Sequence, residues 1–71
     1  MKNKVLKSVE NEHGDRCVDI FLRPDGTFGF EECRRDPEDG GRWYPLHRYG
    51  SQVFRSEEDA LAQARNYVEW L

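Results

Sequence analysis

The sequence predicts an α+β domain: a three- or four-stranded antiparallel β-meander with one C-terminal α-helix packed on one face. Three observations carry this. Two runs of alternating apolar and polar residues, 16–22 and 27–34, flank Arg23-Pro24-Asp25-Gly26. A shorter run with β-branched residues, 4–10, precedes them, and a run of helical periodicity, 57–70, closes the chain. Alternation with period two marks a half-buried strand, and apolar residues at steps of three and four mark an amphipathic helix.

The central hairpin can be read down to its register. Pro24 has φ fixed for the first corner of a type I turn, and Gly26 can take the left-handed position, which makes a three-residue loop with a G1 bulge. That loop pairs Arg23 with Thr27. Leu22 then faces Phe28, Ile20 faces Phe30 and Val18 faces Glu32. The apolar residues of both strands share one face, which a one-residue slip would undo. On the other face Phe21 lies over Gly29, Cys17 lies opposite Cys33, and Asp19 lies opposite Glu31. Like charges directly opposed are unfavourable in a sheet, so the last pair marks a place for something cationic or two solvated carboxylates.

The first strand, 4–10, returns through Glu12-His13-Gly14-Asp15, with Val9 expected opposite Val18, Val5 opposite Leu22 and Leu6 beside Phe21. After Arg34 the pattern breaks, and Asp36-Pro37-Glu38-Asp39-Gly40-Gly41 is loop material. The aromatic stretch Arg42 to Tyr49 has strand composition, but Pro45 lacks a donor and limits it to a short edge strand or extended loop within 42–54. Val53 or Phe54 anchors the connector. Ser56 is an N-cap residue with Asp59 in the acidic place of a capping box, and Glu57, Glu58 and Asp59 suit the positive end of the helix. Ala60, Leu61, Ala64, Tyr67, Val68 and Leu71 share one helical face. Trp70 falls off that stripe, either stacked on 43–49 or exposed.

A chain of 71 residues is one domain. At this size folding buries only about 60% of the unfolded surface, which leaves little room for a deep cleft. Charged residues are 35% of the chain, with 14 acids against 11 bases and a net charge of −3. An acidic balance argues against binding that depends on neutralising phosphates. No apolar run is long enough to span a bilayer, and no apolar segment follows the basic Met1-Lys2-Asn3-Lys4. The expected location is therefore the cytoplasm, with Cys17 and Cys33 as free thiols. A monomer or weak dimer is expected.

No catalytic residue is expected. Cys17 and Cys33 are mid-strand, His13 is in a turn, His47 is in an aromatic segment, and no nucleophile motif surrounds them. Positions 13, 17, 33 and 47 lack the short paired spacing of zinc sites, and the 36–40 acids do not follow the EF-hand order, so neither metal nor cofactor is expected. What remains is a surface. The acids Glu31, Glu32, Asp36, Glu38 and Asp39, with Trp43 and Tyr44 as anchors, form the expected partner-binding set. Asp19, Phe21, Glu57, Glu58 and Asp59 form a secondary one. Trp, Tyr and Arg are enriched at binding hot spots, and clustered carboxylates suit a partner with a basic surface.

The stretch Gly29 to Leu46, reading GFEECRRDPED and ending in Trp43-Tyr44-Pro45-Leu46, resembles a group of small uncharacterised bacterial proteins. These carry a GFEExRRDPED…WxP motif on a meander-plus-helix fold. The Phe54-x-Ser56 approach to the helix is similar too. The resemblance covers 16–71 and brings no activity with it. In size and charge the chain also looks like the small acidic anti-CRISPR inhibitors of phages and mobile elements, several of which mimic DNA with carboxylates. That likeness implies a non-enzymatic inhibitor in a bacterial host, blocking a positively charged DNA-binding surface of a larger assembly such as a CRISPR effector complex. The alternatives are a small nucleic-acid-binding module and a housekeeping interaction domain.

Overall fold

The computed structural model describes residues 2–36, 38 and 40–71. In chain order it contains β1 (Lys4–Glu10), β2 (Arg16–Leu22), β3 (Phe28–Arg35), β4 (Trp43–Pro45) and α1 (Glu57–Tyr67). The strands form one antiparallel sheet in the order β1-β2-β3-β4, and α1 packs across β2 and β3. No helix is long and apolar enough to cross a membrane among the described residues.

The β2–β3 hairpin has the register its turn demands. Leu22 pairs with Phe28, Ile20 with Phe30, Val18 with Glu32, Asp19 with Glu31 and Cys17 with Cys33. The Arg23 N–H donates to the Thr27 carbonyl at 2.8 Å, and the Gly26 N–H donates to the Arg23 carbonyl at 3.0 Å. Gly26 takes φ +87°, a conformation that glycine adopts at no steric cost. The Asp25 carboxylate accepts from the Thr27 hydroxyl at 2.6 Å and its N–H at 3.0 Å. Those bonds hold the Asp25 carboxyl below its ordinary pKa.

β1 departs from expectation in one respect. Val9 pairs with Val18 and Lys7 with Ile20, but then the register shifts at Leu6, so Val5 faces Phe21 and Lys4 faces Leu22. Val5 and Leu6 are adjacent and apolar, and a strict alternation cannot seat both on one side. A β-bulge absorbs the extra residue. Lys4 and Lys7, paired with the inward-facing Leu22 and Ile20, therefore stand on the helix side of the sheet beyond the reach of α1. A bulge and inward-pointing charges on an edge strand oppose further strand pairing.

The core lies between the sheet and α1. Val18, Ile20 and Phe30 are fully buried beneath Ala60, Ala64 and Val68. The two alanines let the helix approach closely, and each large apolar side chain contributes roughly 1.5–3 kcal/mol by leaving water. Phe30 stacks on Tyr49 at 5.1 Å and on Phe54 at 5.7 Å between centroids. Phe54, not the exposed Val53, is the anchor of the connector: it exchanges N–H···O bonds of 2.9 Å with Phe28.

Ser56 caps α1, its hydroxyl accepting from the Asp59 N–H at 3.0 Å. The helix ends three residues earlier than the sequence pattern suggests. Val68 turns extended (φ −103°, ψ 107°), donates the last helical bond to the Ala64 carbonyl and drops its side chain into the core. Tyr67, expected in the apolar stripe, is half exposed and tilts against Tyr49 instead. Past the helix end a turn brings Trp70 and Leu71 back to the margin of the core.

Candidate functional site

Asp19 and Glu31 face each other on adjacent strands, yet their carboxylates part. Asp19 turns toward β1, where the Ser8 hydroxyl donates to its Oδ1 at 2.7 Å. Glu31 turns the other way, past β3 and into the 46–53 loop. There it accepts from the backbone N–H groups of Gly50 at 3.0 Å, Arg48 at 3.3 Å and Tyr49 at 3.3 Å, and from that of Glu32 at 2.9 Å. Successive backbone N–H groups converging on one anion form a nest, and each bond to the charged oxygen is stronger than a neutral one. A Cβ at Gly50 would meet the Glu31 Oε1 at 3.0 Å, so the loop closes tightly on the carboxylate.

Glu32 lies on the apolar face, 6% exposed. Its Oε2 accepts from the Trp70 indole N–H at 2.9 Å, and Arg16 and Arg48 form ion pairs with it at 3.9 Å. The expectation that Glu31 and Glu32 face a partner is therefore corrected. Both are buried, and both hold the chain's own segments. The charge density of the sequence was real, but alternation sends one glutamate to each face of β3, and a loop and the C-terminus return to cover them.

The other expected residues are distributed as follows. Asp36 is half buried and accepts from the Glu38 N–H at 3.0 Å; Glu38 is exposed. Asp39 lies outside the described residues. Glu57, Glu58 and Asp59 are exposed on the first turn of α1, at the opposite end of the 46–53 connector from β4. Phe21 is not on an open face. It is 8% exposed, its ring covering Gly29, with the Arg23 guanidinium 5.0 Å from its centroid.

Trp43 and Tyr44 occupy the short edge strand β4, paired with Arg35 and Arg34. The Arg35 guanidinium lies 4.7 Å from the Trp43 ring, and that of Arg34 lies 5.9 Å from the Tyr44 ring, both within cation–π range. Arg35 also donates to the Gly14 carbonyl, tying this edge to the β1–β2 turn. A shallow groove beside it is lined by Asp15, Arg16, Arg34, Arg35 and Asp36. Arg16 and Arg34 pair directly across the strands, a like-charge opposition that the sheet tolerates beside Glu32.

The opposite face of the sheet carries the thiols. Cys17 is 4% and Cys33 8% exposed, and neither is oxidised. Their sulfurs and an Asp19 carboxylate oxygen all lie within 4.8 Å of one another. The Cys17 Sγ–H donates to Asp19 Oδ1 at 3.7 Å. Burial pushes the Cys17 thiol up to about 12, with the Asp19 charge adding to it, and burial raises the Cys33 thiol as well. Thiols held this firmly in the protonated form are poor nucleophiles. Neither His13 nor His47 belongs to this group.

Arg23 is the residue that sequence reasoning missed. From the hairpin turn its guanidinium donates to the carbonyls of Gly50 at 2.7 Å, Gln52 at 2.8 Å and Phe28 at 2.9 Å. With Glu31 it fastens the 46–53 loop from both sides, one group taking carbonyls and the other N–H groups. Only its place next to the Pro-Asp-Gly turn hinted at such a role. No family model matches the chain, nor does any curated protein or solved structure match it.

Proposed function

We propose that this chain is a non-enzymatic protein-interaction domain whose contact surface is the end of the sheet where β3 and β4 meet. One observation carries the reading. Trp43 and Tyr44 project from the two faces of an edge strand, Tyr44 36% exposed, and each ring has the guanidinium of its β3 pairing partner within cation–π range. Aromatic anchors that are already ordered lose little conformational entropy on binding, and Trp, Tyr and Arg are the residue types that dominate interface energies. Asp36 shares a groove with Arg34 and Arg35, Glu38 is exposed, and Arg42 precedes Trp43 in the chain.

The finer reading is an inhibitor of the anti-CRISPR kind, engaging a basic DNA-binding surface of a larger complex in the bacterial cytoplasm. With Glu31 and Glu32 turned inward, it rests on the exposed or half-exposed acids Asp36, Glu38, Glu57, Glu58 and Asp59. The unlinked cysteine pair suits a reducing compartment. A nucleic-acid-binding module is the second reading, favoured by the groove where Arg16, Arg34 and Arg35 converge beside the aromatic edge.

The deciding experiment is affinity capture from a bacterial lysate with wild-type chain and with Trp43→Ala/Tyr44→Ala, followed by binding measurements on the recovered partner and on DNA and RNA. A protein partner lost with the double variant supports the proposal. A partner bound equally well by that variant overturns the assigned surface, and direct nucleic-acid binding in place of a protein partner overturns the class.

A further inference from the structure

We propose that Cys17, Asp19 and Cys33 form a binding site for a thiophilic divalent metal ion, Zn2+ by its chemistry, on the sheet face opposite α1. Their three ligand atoms already lie within 4.8 Å of one another. In a tetrahedral site with Zn–S near 2.3 Å and Zn–O near 2.0–2.2 Å, neighbouring ligands stand about 3.4–3.8 Å apart. The largest of the present separations exceeds that spacing by no more than about 1.4 Å.

The backbone supplies the arrangement. Cys17 and Asp19 are two apart on β2 and so share a face, and Cys33 is the direct cross-strand partner of Cys17. The linear spacing of 17 and 33 conceals a pair that the hairpin brings together. Two sulfur ligands select Zn2+ over Mg2+ and Ca2+, which prefer oxygen. The Ser8 hydroxyl on the Asp19 carboxylate orients that ligand, as outer-shell groups do in metal sites. Two buried cysteines alone are an ordinary apolar pair. What sets this pair apart is a carboxylate oxygen within 4.8 Å of both sulfurs, on a residue whose Oδ1 already accepts from the Cys17 thiol and the Ser8 hydroxyl. A mixed sulfur and oxygen set suits a thiophilic cation.

Binding converts the two thiols to thiolates and releases two protons to solvent, while Asp19 binds as the carboxylate. Three protein ligands leave the fourth position to water or to a group from a partner.

The test is a Co2+ titration of the full chain, chelator-treated, reduced and shown to hold two titratable thiols. The expected result is a thiolate-to-cobalt charge-transfer band that saturates at one ion per chain, with two protons released per ion. Zn2+ should bleach it. Asp19→Asn should weaken binding by about tenfold or more, and Cys17→Ala and Cys33→Ala should each abolish the band. If either cysteine variant fails to fold, the wild-type band, stoichiometry and proton count still decide. A reduced chain that gives no band, a band indifferent to Asp19→Asn, or one ion shared between two chains overturns the site.

Discussion

The Trp70 indole N–H donates to the Glu32 carboxylate at 2.9 Å, joining the last turn of the chain to the middle of β3. Glu32 pairs with Val18 on the apolar face, where a carboxylate is costly unless its oxygens are satisfied. The indole meets that need and seals the open end of the helix–sheet interface. Trp70→Phe keeps an aromatic ring but removes the donor together with part of the indole's volume. It should lower stability by about 1–3 kcal/mol, the usual cost of leaving a buried polar group short of a partner. Urea denaturation checks this, and a variant as stable as wild type would mean that Arg16 and Arg48 suffice.

Arg23 and Glu31 should prove to be two halves of one fastening. Arg23→Met removes the donors to Gly50 and Gln52, and Glu31→Gln removes the charge from the nest of N–H groups. Each should speed amide hydrogen exchange at Arg48, Tyr49 and Gly50 while Ile20 and Phe30 stay protected. Loss of protection throughout the sheet would show instead that the loop is an integral part of the global fold.

Gly29 is a steric requirement. A Cβ there would lie 2.8 Å from the Phe21 ring and 2.6 Å from the Arg23 guanidinium. Gly29→Ala should cost about 1–3 kcal/mol as overpacking. Combined with Phe21→Leu it should cost measurably less than the sum of the two single changes, since residues in contact do not add. Additivity in a double-mutant cycle would contradict the contact.

Alkali should weaken the fold through its thiols. An unfolded cysteine loses its proton near its ordinary value of 9.0, whereas folded Cys17 holds its own up to about 12. Between those values the unfolded chain binds fewer protons than the folded one, so stability falls as pH rises. Below that range the contribution is fully present. Denaturation midpoints compared at neutral pH and near pH 10 should show the loss, and Cys17→Ala should flatten it.

The proposed contact surface makes a ranking. For a basic partner surface, reversing Asp36 and Glu38 to Lys should weaken binding strongly, and added salt should slow association. Reversing Arg34 and Arg35 to Glu should then lower binding no further than Arg34→Gln/Arg35→Gln, which removes the ring contacts without adding negative charge. Charge-reversal binding series on the captured partner would settle the order. The opposite ranking belongs to an anionic partner and favours the nucleic-acid module.

The hairpin was legible because two independent signals agreed: the Pro-Asp-Gly turn fixed a pairing, and the apolar alternation accepted only that pairing. The bulge at Leu6 was not, since two adjacent apolar residues do not say which one the strand will eject. The fate of Glu31 and Glu32 was hidden for a different reason. Their density along the chain reads as surface charge, and only the return of the 46–53 loop and of Trp70 gives those carboxylates partners inside. The helix end was misread because Val68 satisfies both the helical stripe and the extended residue that terminates it. Cys17 opposite Cys33 was readable from the register. Asp19 as their neighbour was readable too, but its opposition to Glu31 drew attention away from the sulfurs.

Both margins of the sheet are closed to growth. On one side the bulge in β1 and the lysines at positions 4 and 7 break the flat run of backbone donors and acceptors that another strand would copy. On the other, β4 is three residues long and ends in Pro45, which has no N–H to offer. Both described edges of the sheet therefore disfavour the strand-by-strand addition by which sheets polymerise.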